Sequence, residues 1–178
     1  MEKKEIILKK ATEIISEEGI DCLTTQNIAA SVNLSKATLY HYFSSKEEIL
    51  SALFERGHRN MMKNGFQLDL RGEDEDILKK AAEKWEDMFL NEDNWHFLRA
   101  VFSLHFVYPE ARNEYRSLYL MLSSQASVLI SSLKISEEEK RALIPLFSSA
   151  LMVSVERILE DEESDFSTPL LGVLSLIH

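Results

Sequence analysis

The sequence has one cysteine, Cys22, among 178 residues, so no disulfide bond within the chain can stabilise the fold. A protein without disulfides suits a reducing compartment. The N-terminal segment has an apolar run of only three residues, 6–8, between charged residues. That run is too short for a signal peptide or a membrane span, and we therefore expect a cytoplasmic protein.

Motifs of catalysis and metal binding are also absent from the sequence. None of the five histidines has the HExxH spacing or the His/Cys spacing of a zinc site. There is no glycine-rich phosphate loop, and no serine stands in a nucleophile-elbow context. Glu92, His96, His105 and Glu110 could in principle meet at a metal, but their separations match no metal motif. We predict no enzyme, no cofactor and no metal site.

A helical pattern runs through the chain, with no strand-like alternation and only three prolines. Ser45 with Glu48, and Ser136 with Glu139, have the spacing of capping boxes, which start helices. Pro145 should either kink its helix or mark its true start. The predicted helices cover residues 5–18, 24–32, 35–43, 45–64, 74–90, 93–107, 110–133, 137–160 and 168–177.

The most informative stretch is 24–46, which reads as two short helices joined by a tight turn. Thr24 is predicted to cap the first helix and Ser35 the second. Asn33 fits the turn because asparagine tolerates positive φ better than most residues. The pattern predicts a helix-turn-helix.

The second of these helices has two different faces. Leu39 and Phe43, four residues apart, should pack inward and hold the two helices together. The opposite face offers cations and hydroxyls for phosphates and amphipathic rings for sugars and base edges. Its members are Lys36, Thr38, Tyr40, His41 and Tyr42.

On these residues the chain resembles the tetracycline-repressor (TetR-like) family of bacterial and archaeal transcriptional regulators. The resemblance runs from about Ile7 to Leu50. Asn33 stands where the family usually has glycine, and Val32 where it usually has alanine. The matching residues are Gly19, Thr24, Thr25, Ile28, Ala29, Ser35, Lys36, Thr38, Leu39, Tyr40, Phe43, Lys46, Glu47 and Leu50.

The resemblance implies particular contacts with DNA. Phosphate contacts are implied for Thr25, Tyr40, Tyr42 and Lys46. Base contacts are implied for Gln26, Lys36, Ala37, Thr38 and His41. His41 and Tyr42 stand in the reverse of the commoner order, which affects base preference rather than the motif. For each residue taken alone, a solvated surface position is the alternative.

The overall charge does not favour DNA binding. The chain has a net charge of −10, and residues 1–50 contain six lysines against eight acidic residues. A DNA-binding domain usually has a basic patch. Binding must therefore depend on the local placement of a few lysines, and we expect weak nonspecific affinity with a strong dependence on salt.

We predict an all-α fold with two domains. Residues 1–48 form a three-helix DNA-binding domain with the helix-turn-helix. Residues 49–178 form an antiparallel helical bundle for regulation and dimerisation, in line with the resemblance. The domain boundary falls in the helix that begins near residue 45.

The bundle has an unusually aromatic apolar face. Small-molecule sites are apolar cavities with a few converging polar groups, and the family's relatives bind inducers between corresponding helices. A solid core is the alternative. The predicted ligand-binding residues are Trp85, Phe89, Trp95, Phe102, His105, Tyr119, Leu122 and Gln125.

A second apolar face lies near the C-terminus, and it is too hydrophobic to remain exposed. We predict that it forms a homodimer interface, with a monomer that folds this face inward as the alternative. The dimer would present two recognition helices to a pseudo-palindromic operator. The predicted interface residues are Phe147, Leu151, Val155, Ile158, Leu170 and Leu174.

The predicted function is a ligand-responsive transcriptional regulator, a repressor released from its operator by a small apolar or amphipathic ligand. One alternative is a DNA-binding regulator with no small-molecule site, which is constitutive or controlled by a protein partner. Another is an enzyme or lipid carrier built on a helical bundle.

Overall fold

The computed structural model describes residues 2–63, 67–160, 166 and 172, and every regular element in these ranges is helical. This confirms the all-α prediction. A 3-10 turn, Ile20–Cys22, follows the first helix, and the predicted helix at 168–177 lies outside the described residues except for residue 172. The helices are α1 (Lys3–Glu18), α2 (Thr25–Ser31), α3 (Lys36–Tyr42), α4 (Lys46–Lys63), α5 (Asp74–Phe89), α6 (Glu92–Leu104), α7 (Pro109–Ser132) and α8 (Glu137–Leu159).

Local capping explains where several helices begin. At α8, the Ser136 hydroxyl accepts a hydrogen bond from Glu139 N, and the Glu139 carboxylate accepts one from Ser136 N, which confirms this capping box. At α4, the Ser45 hydroxyl accepts a hydrogen bond from Glu48 N at 3.2 Å. The Glu48 carboxylate, however, accepts its hydrogen bond from Ser44 N rather than from Ser45 N. The second predicted box is therefore only half formed.

Pro145 lies inside α8, which begins eight residues earlier at Glu137. The alternative that this proline marks the helix start is therefore wrong. The helix is long and apolar enough to cross a membrane by length and composition, but half of its most apolar window is buried within the chain. Core helices of soluble proteins meet the same test, so this is weak support for a membrane span.

The first of two compact units comprises residues 1–64 and 92–115. It contains α1 to α4, α6 and the beginning of α7. Its core includes Ile7 and Ala11 of α1, both fully buried, and the edge-on pair of Phe54 and Phe97, with ring centres 6.3 Å apart. Gly57 of α4 lies directly against the Phe97 ring.

The second unit comprises residues 65–91 and 116–178. Its described helices are α5, the rest of α7, and α8. Trp85 and Leu122 are fully buried there, and Phe147 is 2% exposed. The predicted functional boundary after residue 48 remains a prediction, since the contacts group α4 and α6 with the N-terminal helices rather than with this unit.

Candidate functional site

The helix-turn-helix is built by short-range hydrogen bonds. Thr24 Oγ1 accepts from Asn27 N at 3.1 Å at the start of α2, and Ser35 Oγ accepts from Thr38 N at 3.1 Å at the start of α3. Between the helices, Asn33 has φ 54°, the positive value that its position in the turn was predicted to require. These three local features place α2 and α3 as the sequence predicts.

Apolar side chains hold the two helices together. Ile28 and Leu39 are fully buried, and Phe43 is 4% exposed. The backbone also contributes, because Leu34 N donates to Ala29 O at 2.9 Å. With one face of α3 buried in this way, its opposite face must be turned towards solvent.

The structure leaves that opposite face accessible. Tyr40 is 49% exposed. Four other predicted DNA-binding residues are exposed, namely Gln26, Lys36, Ala37 and His41. The remaining four are partly exposed, namely Thr25, Thr38, Tyr42 and Lys46.

Three of these side chains already make contacts within the chain. Thr38 Oγ1 shares a hydrogen bond of 2.8 Å with Ser35 Oγ. Lys46 Nζ donates to Ile20 O at 3.1 Å, which ties the start of α4 to the 3-10 turn. Tyr42 meets the His41 ring edge-on. An ammonium group has three donor hydrogens, so Lys46 can still donate to a phosphate from this position.

Acidic residues stand next to this surface. The Ser44 hydroxyl and backbone N–H lower the pKa of Glu48, and the N–H of Glu47 itself lowers the pKa of Glu47. Both carboxylates are therefore ionised at neutral pH beside Lys46. Their negative charge limits how strongly this part of the molecule attracts DNA without specific contacts.

The predicted ligand-binding residues fall into two groups, one in each compact unit. In the second unit, Trp85 Nε1 donates to Gln125 Oε1 at 2.7 Å in a buried contact, with Phe89 and Leu122 also buried. Tyr119 is 45% exposed and does not belong to that buried group. The sequence pattern missed Phe166, which is fully buried against Phe89 and Trp85.

In the first unit, His105 stacks on Tyr115 with ring centres 4.3 Å apart, and Phe102 meets the same tyrosine edge-on. Trp95 lies under the Arg99 guanidinium at 4.7 Å. His96 Nδ1 forms a 2.7 Å hydrogen bond with Ser16. Within residues 2–63 and 67–160, no group of three or more His, Cys, Asp or Glu side chains could hold a metal ion.

Comparison with known proteins identifies the helix-turn-helix. The family model of bacterial regulatory proteins, tetR family, matches residues 7–53. The chain is therefore TetR-like over residues 7–53. The match covers most of α1, all of α2 and α3, and the beginning of α4, which are the elements that position the exposed face of α3.

A sequence relative of this TetR-like chain is the biofilm operon icaADBC HTH-type negative transcriptional regulator IcaR of Staphylococcus epidermidis. The two are 29% identical over 131 residues, which cover 74% of this chain. The alignment covers 59% of the relative, so this chain spans about three fifths of that relative's length. This relative and the family consist of regulators rather than enzymes, in agreement with the prediction of no enzyme.

Solved structures share the fold of the TetR-like chain over its full length. The TetR family transcriptional regulator PfmR from Thermus thermophilus has a TM-score of 0.66 at 20% identity, covering 100% of this chain and 97% of that one. The multidrug binding protein EbrR, complexed with malachite green, has a TM-score of 0.64 at 14% identity. That alignment covers 100% of this chain and 99% of EbrR.

Four of the predicted dimer residues of the TetR-like chain belong to the core of its second unit. They are at most 5% exposed: Phe147, Leu151, Val155 and Ile158. Leu146 and Val153 are instead 64% and 52% exposed. The apolar residues of α8 that a second copy could contact are therefore different from the predicted interface residues. The other two predicted residues, Leu170 and Leu174, lie outside the described residues.

Proposed function

We propose that this TetR-like protein is a DNA-binding transcriptional repressor of the cytoplasm. The observation that carries the proposal is the exposed face of α3, with Lys36, Tyr40 and His41 accessible on a helix-turn-helix that the family model matches. The similarity to a negative transcriptional regulator supports repression rather than activation.

In this proposal α3 lies in the major groove of duplex DNA. Lys36, Ala37, Thr38, His41 and Gln26 of α2 face the base edges, while Thr25, Tyr40, Tyr42 and Lys46 contact phosphates. Bases provide specificity, whereas phosphate contacts set position and register. Because the chain has few lysines near this face, its affinity depends on a small number of contacts.

The proposed active form is a homodimer that binds a pseudo-palindromic operator. A two-fold dimer places its recognition helices about 34 Å apart or somewhat more, which matches one turn of the DNA helix. The exposed Leu146 and Val153, seven residues apart and so on the same face of α8, support a second copy as the partner. Sedimentation velocity of the wild type and of Leu146→Glu tests this proposal.

We further propose that a small apolar or amphipathic ligand lowers operator affinity by binding in the second unit. The buried Trp85, Phe89, Leu122 and Gln125 support this proposal, since they combine aromatic surface with one amide group. The similar fold of EbrR, which binds malachite green, also supports it. The ligand can shift DNA binding only by its own preference between the two protein conformations.

Gel-shift binding to the DNA that flanks the protein's own gene tests the DNA-binding proposal. The wild type should give a shift that resists unrelated competitor DNA and has dimer stoichiometry. Lys36→Ala should weaken this shift. The control Lys84→Ala removes the same charge from an exposed position of α5 and should leave the shift unchanged. If the wild type also selects no specific site from random-sequence DNA, the protein does not bind an operator.

A repressor without a small-molecule site is the second candidate. The complete burial of Phe166 among Trp85 and Phe89 favours it, because this ring occupies space that a ligand would need. A thermal-shift screen with apolar and amphipathic compounds separates the two candidates. A bound ligand at a hundredfold excess over its Kd stabilises the folded protein by about 2.7 kcal/mol, and a filled core gives no stabilisation.

A further inference from the structure

An open cleft of about 360 Å³ lies in the first compact unit, between the middle of α4 and the beginning of α7. This volume falls within the range of small-molecule sites in proteins. Phe54 of α4 contributes apolar surface to the wall, and its ring is held in place edge-on against the buried Phe97. The described residues that line the cleft include none of those predicted to contact DNA, a ligand or a second copy.

The charges of the cleft are predominantly negative. Its wall has three carboxylates, those of Glu55, Glu110 and Glu114, and one guanidinium, that of Arg59. Arg59 Nη1 lies 3.6 Å from Glu55 Oε2, so these two charges largely compensate each other. The other two carboxylates keep the wall negative even when His58 is protonated. The cleft therefore favours a cation over an anion.

A hydrogen bond fixes one of these carboxylates on the wall. His58 Nδ1 lies 2.8 Å from Glu114 Oε2, and because an ionised carboxylate only accepts, the histidine nitrogen is the donor. The Glu114 side chain is only 20% exposed, and its other oxygen can still accept from a ligand. Ser51 and Asn113 add a hydroxyl oxygen and an amide oxygen. The wall is thus rich in hydrogen-bond acceptors.

These acceptors suit an organic cation better than a metal ion. In the described part of the chain, no three His, Cys, Asp or Glu side chains are placed to hold a metal. An ammonium group instead donates up to three hydrogen bonds of about 2.9 Å in different directions. The carbon body of an amine would also cover the Phe54 ring and the methylene groups of Glu55 and Arg59.

We propose that the cleft between α4 and α7 binds a small organic amine in its ammonium form. The nitrogen lies beside Glu110 and Glu114, and the apolar body lies against Phe54. Alkyl ammonium groups have a pKa of roughly 10, so the ligand is charged at neutral pH. The site is separate from the ligand site proposed in the second unit. It lies on the same helix as Lys46, so a bound amine contacts the helix that begins at the proposed DNA surface.

The test uses the full chain with phenethylammonium as the probe. Two molecules of similar size and shape are the ligand controls, namely phenethyl alcohol, which is neutral, and hydrocinnamate, which is an anion. Two-dimensional NMR titration of the isotope-labelled protein gives the Kd of each molecule. The same spectra identify the backbone amides whose signals shift.

Two variants change the cleft at exposed positions, where folding should be preserved. Glu110→Gln removes one carboxylate charge, and Ser51→Trp fills the cleft with a large ring. The control Glu18→Gln removes the same charge from an exposed position at the end of α1, outside the cleft. Circular dichroism and thermal unfolding check that each variant is folded.

The proposal predicts that phenethylammonium binds the wild type at least about fivefold more tightly than either ligand control. Glu110→Gln should weaken binding about threefold, Ser51→Trp should abolish it, and Glu18→Gln should leave it unchanged. The shifted amides should belong to residues 51–59 and 110–114.

The proposal is overturned if phenethylammonium does not bind the wild type or binds no more tightly than the alcohol. Unchanged affinity in the folded Ser51→Trp or Glu110→Gln variant would place the amine elsewhere and would equally overturn it. The test involves no DNA, so operator binding is scored independently.

Discussion

The guanidinium of Arg56, a residue of α4 that is only 4% exposed, donates to Asp93 of α6 across 3.2 Å. It also donates to Glu5 of α1. Lys9 of α1 approaches the same aspartate at 3.2 Å, and that hydrogen bond is the main cause of the raised pKa of Lys9. One buried cation thus links three helices of the unit that carries the helix-turn-helix.

Replacing Arg56 with Met should lower the free energy of unfolding by about 2 kcal/mol, because two charge-assisted hydrogen bonds are lost while the apolar stem is kept. The control Lys9→Met removes a cation that is closer to solvent and should cost about 0.5 kcal/mol. Urea denaturation of both variants measures the difference. Equal losses would show that the burial of Arg56 has no special role.

Gly57→Ala should destabilise the same unit. A Cβ at this position would lie 2.1 Å from Cδ2 of the buried Phe97 ring, so the ring or the helices must move. We expect a loss of about 1–3 kcal/mol from overpacking, which outweighs the better helix propensity of alanine. Thermal denaturation measures this loss. The double variant Gly57→Ala with Phe97→Leu should lose less stability than the two single variants lose in total.

Asn33→Ala should cost about 1 kcal/mol, since alanine adopts a φ of 54° less readily than asparagine does. Asn33→Gly should change stability by less than about 0.5 kcal/mol, because glycine adopts positive φ without strain. Thermal unfolding of the two variants provides the comparison. A tolerated alanine would mean that the turn can adopt a different backbone conformation.

Asp69 should contribute to acid sensitivity. Its side chain accepts hydrogen bonds from Arg71 and Lys80, and the Arg71 bond is the main reason why its pKa lies well below the usual range. A pKa depressed by folding stabilises the protein fully above about pH 4, and this contribution is lost as the pH falls towards the folded-state pKa. In Asp69→Asn, urea midpoints measured from pH 7 down to pH 3 should fall less steeply than in the wild type.

Lys36→Ala should lower operator affinity, and the salt dependence of binding distinguishes the proposed base contact from a phosphate contact. If its ammonium neutralises one phosphate, the slope of log K against log salt concentration should become shallower by about one. If Lys36 reads a base without a phosphate contact, the affinity should fall while the slope stays the same. Titrations at several salt concentrations distinguish these two roles, with Lys84→Ala as the charge-matched control.

The helix-turn-helix was the most predictable part of the chain. Thr24, Asn33 and Ser35 act on backbone groups within a few residues, so their effect can be read from the sequence without knowledge of the rest of the fold. The return hydrogen bond of a capping box, from the backbone to the glutamate carboxylate, is less predictable. Glu48 lies within reach of both Ser44 and Ser45, and only the folded backbone selects Ser44.

The apolar faces of the C-terminal part were less predictable. Helical periodicity correctly indicates that Phe147 and Val155 avoid water, but it cannot distinguish the core of the same chain from the surface of a second copy. Likewise, Trp95 and Trp85 share an aromatic pattern, yet they belong to different compact units.

The sequence by itself determined the helical fold, the helix-turn-helix and the exposed face of α3, because periodicity and capping act over a few residues. The tertiary structure alone decided the burial of Arg56 among Glu5 and Asp93, the close contact of Gly57 with Phe97, and the stacking of Phe166 on Phe89. These contacts join residues that are far apart in the chain. No local pattern encodes them, since they depend on how whole helices pack together.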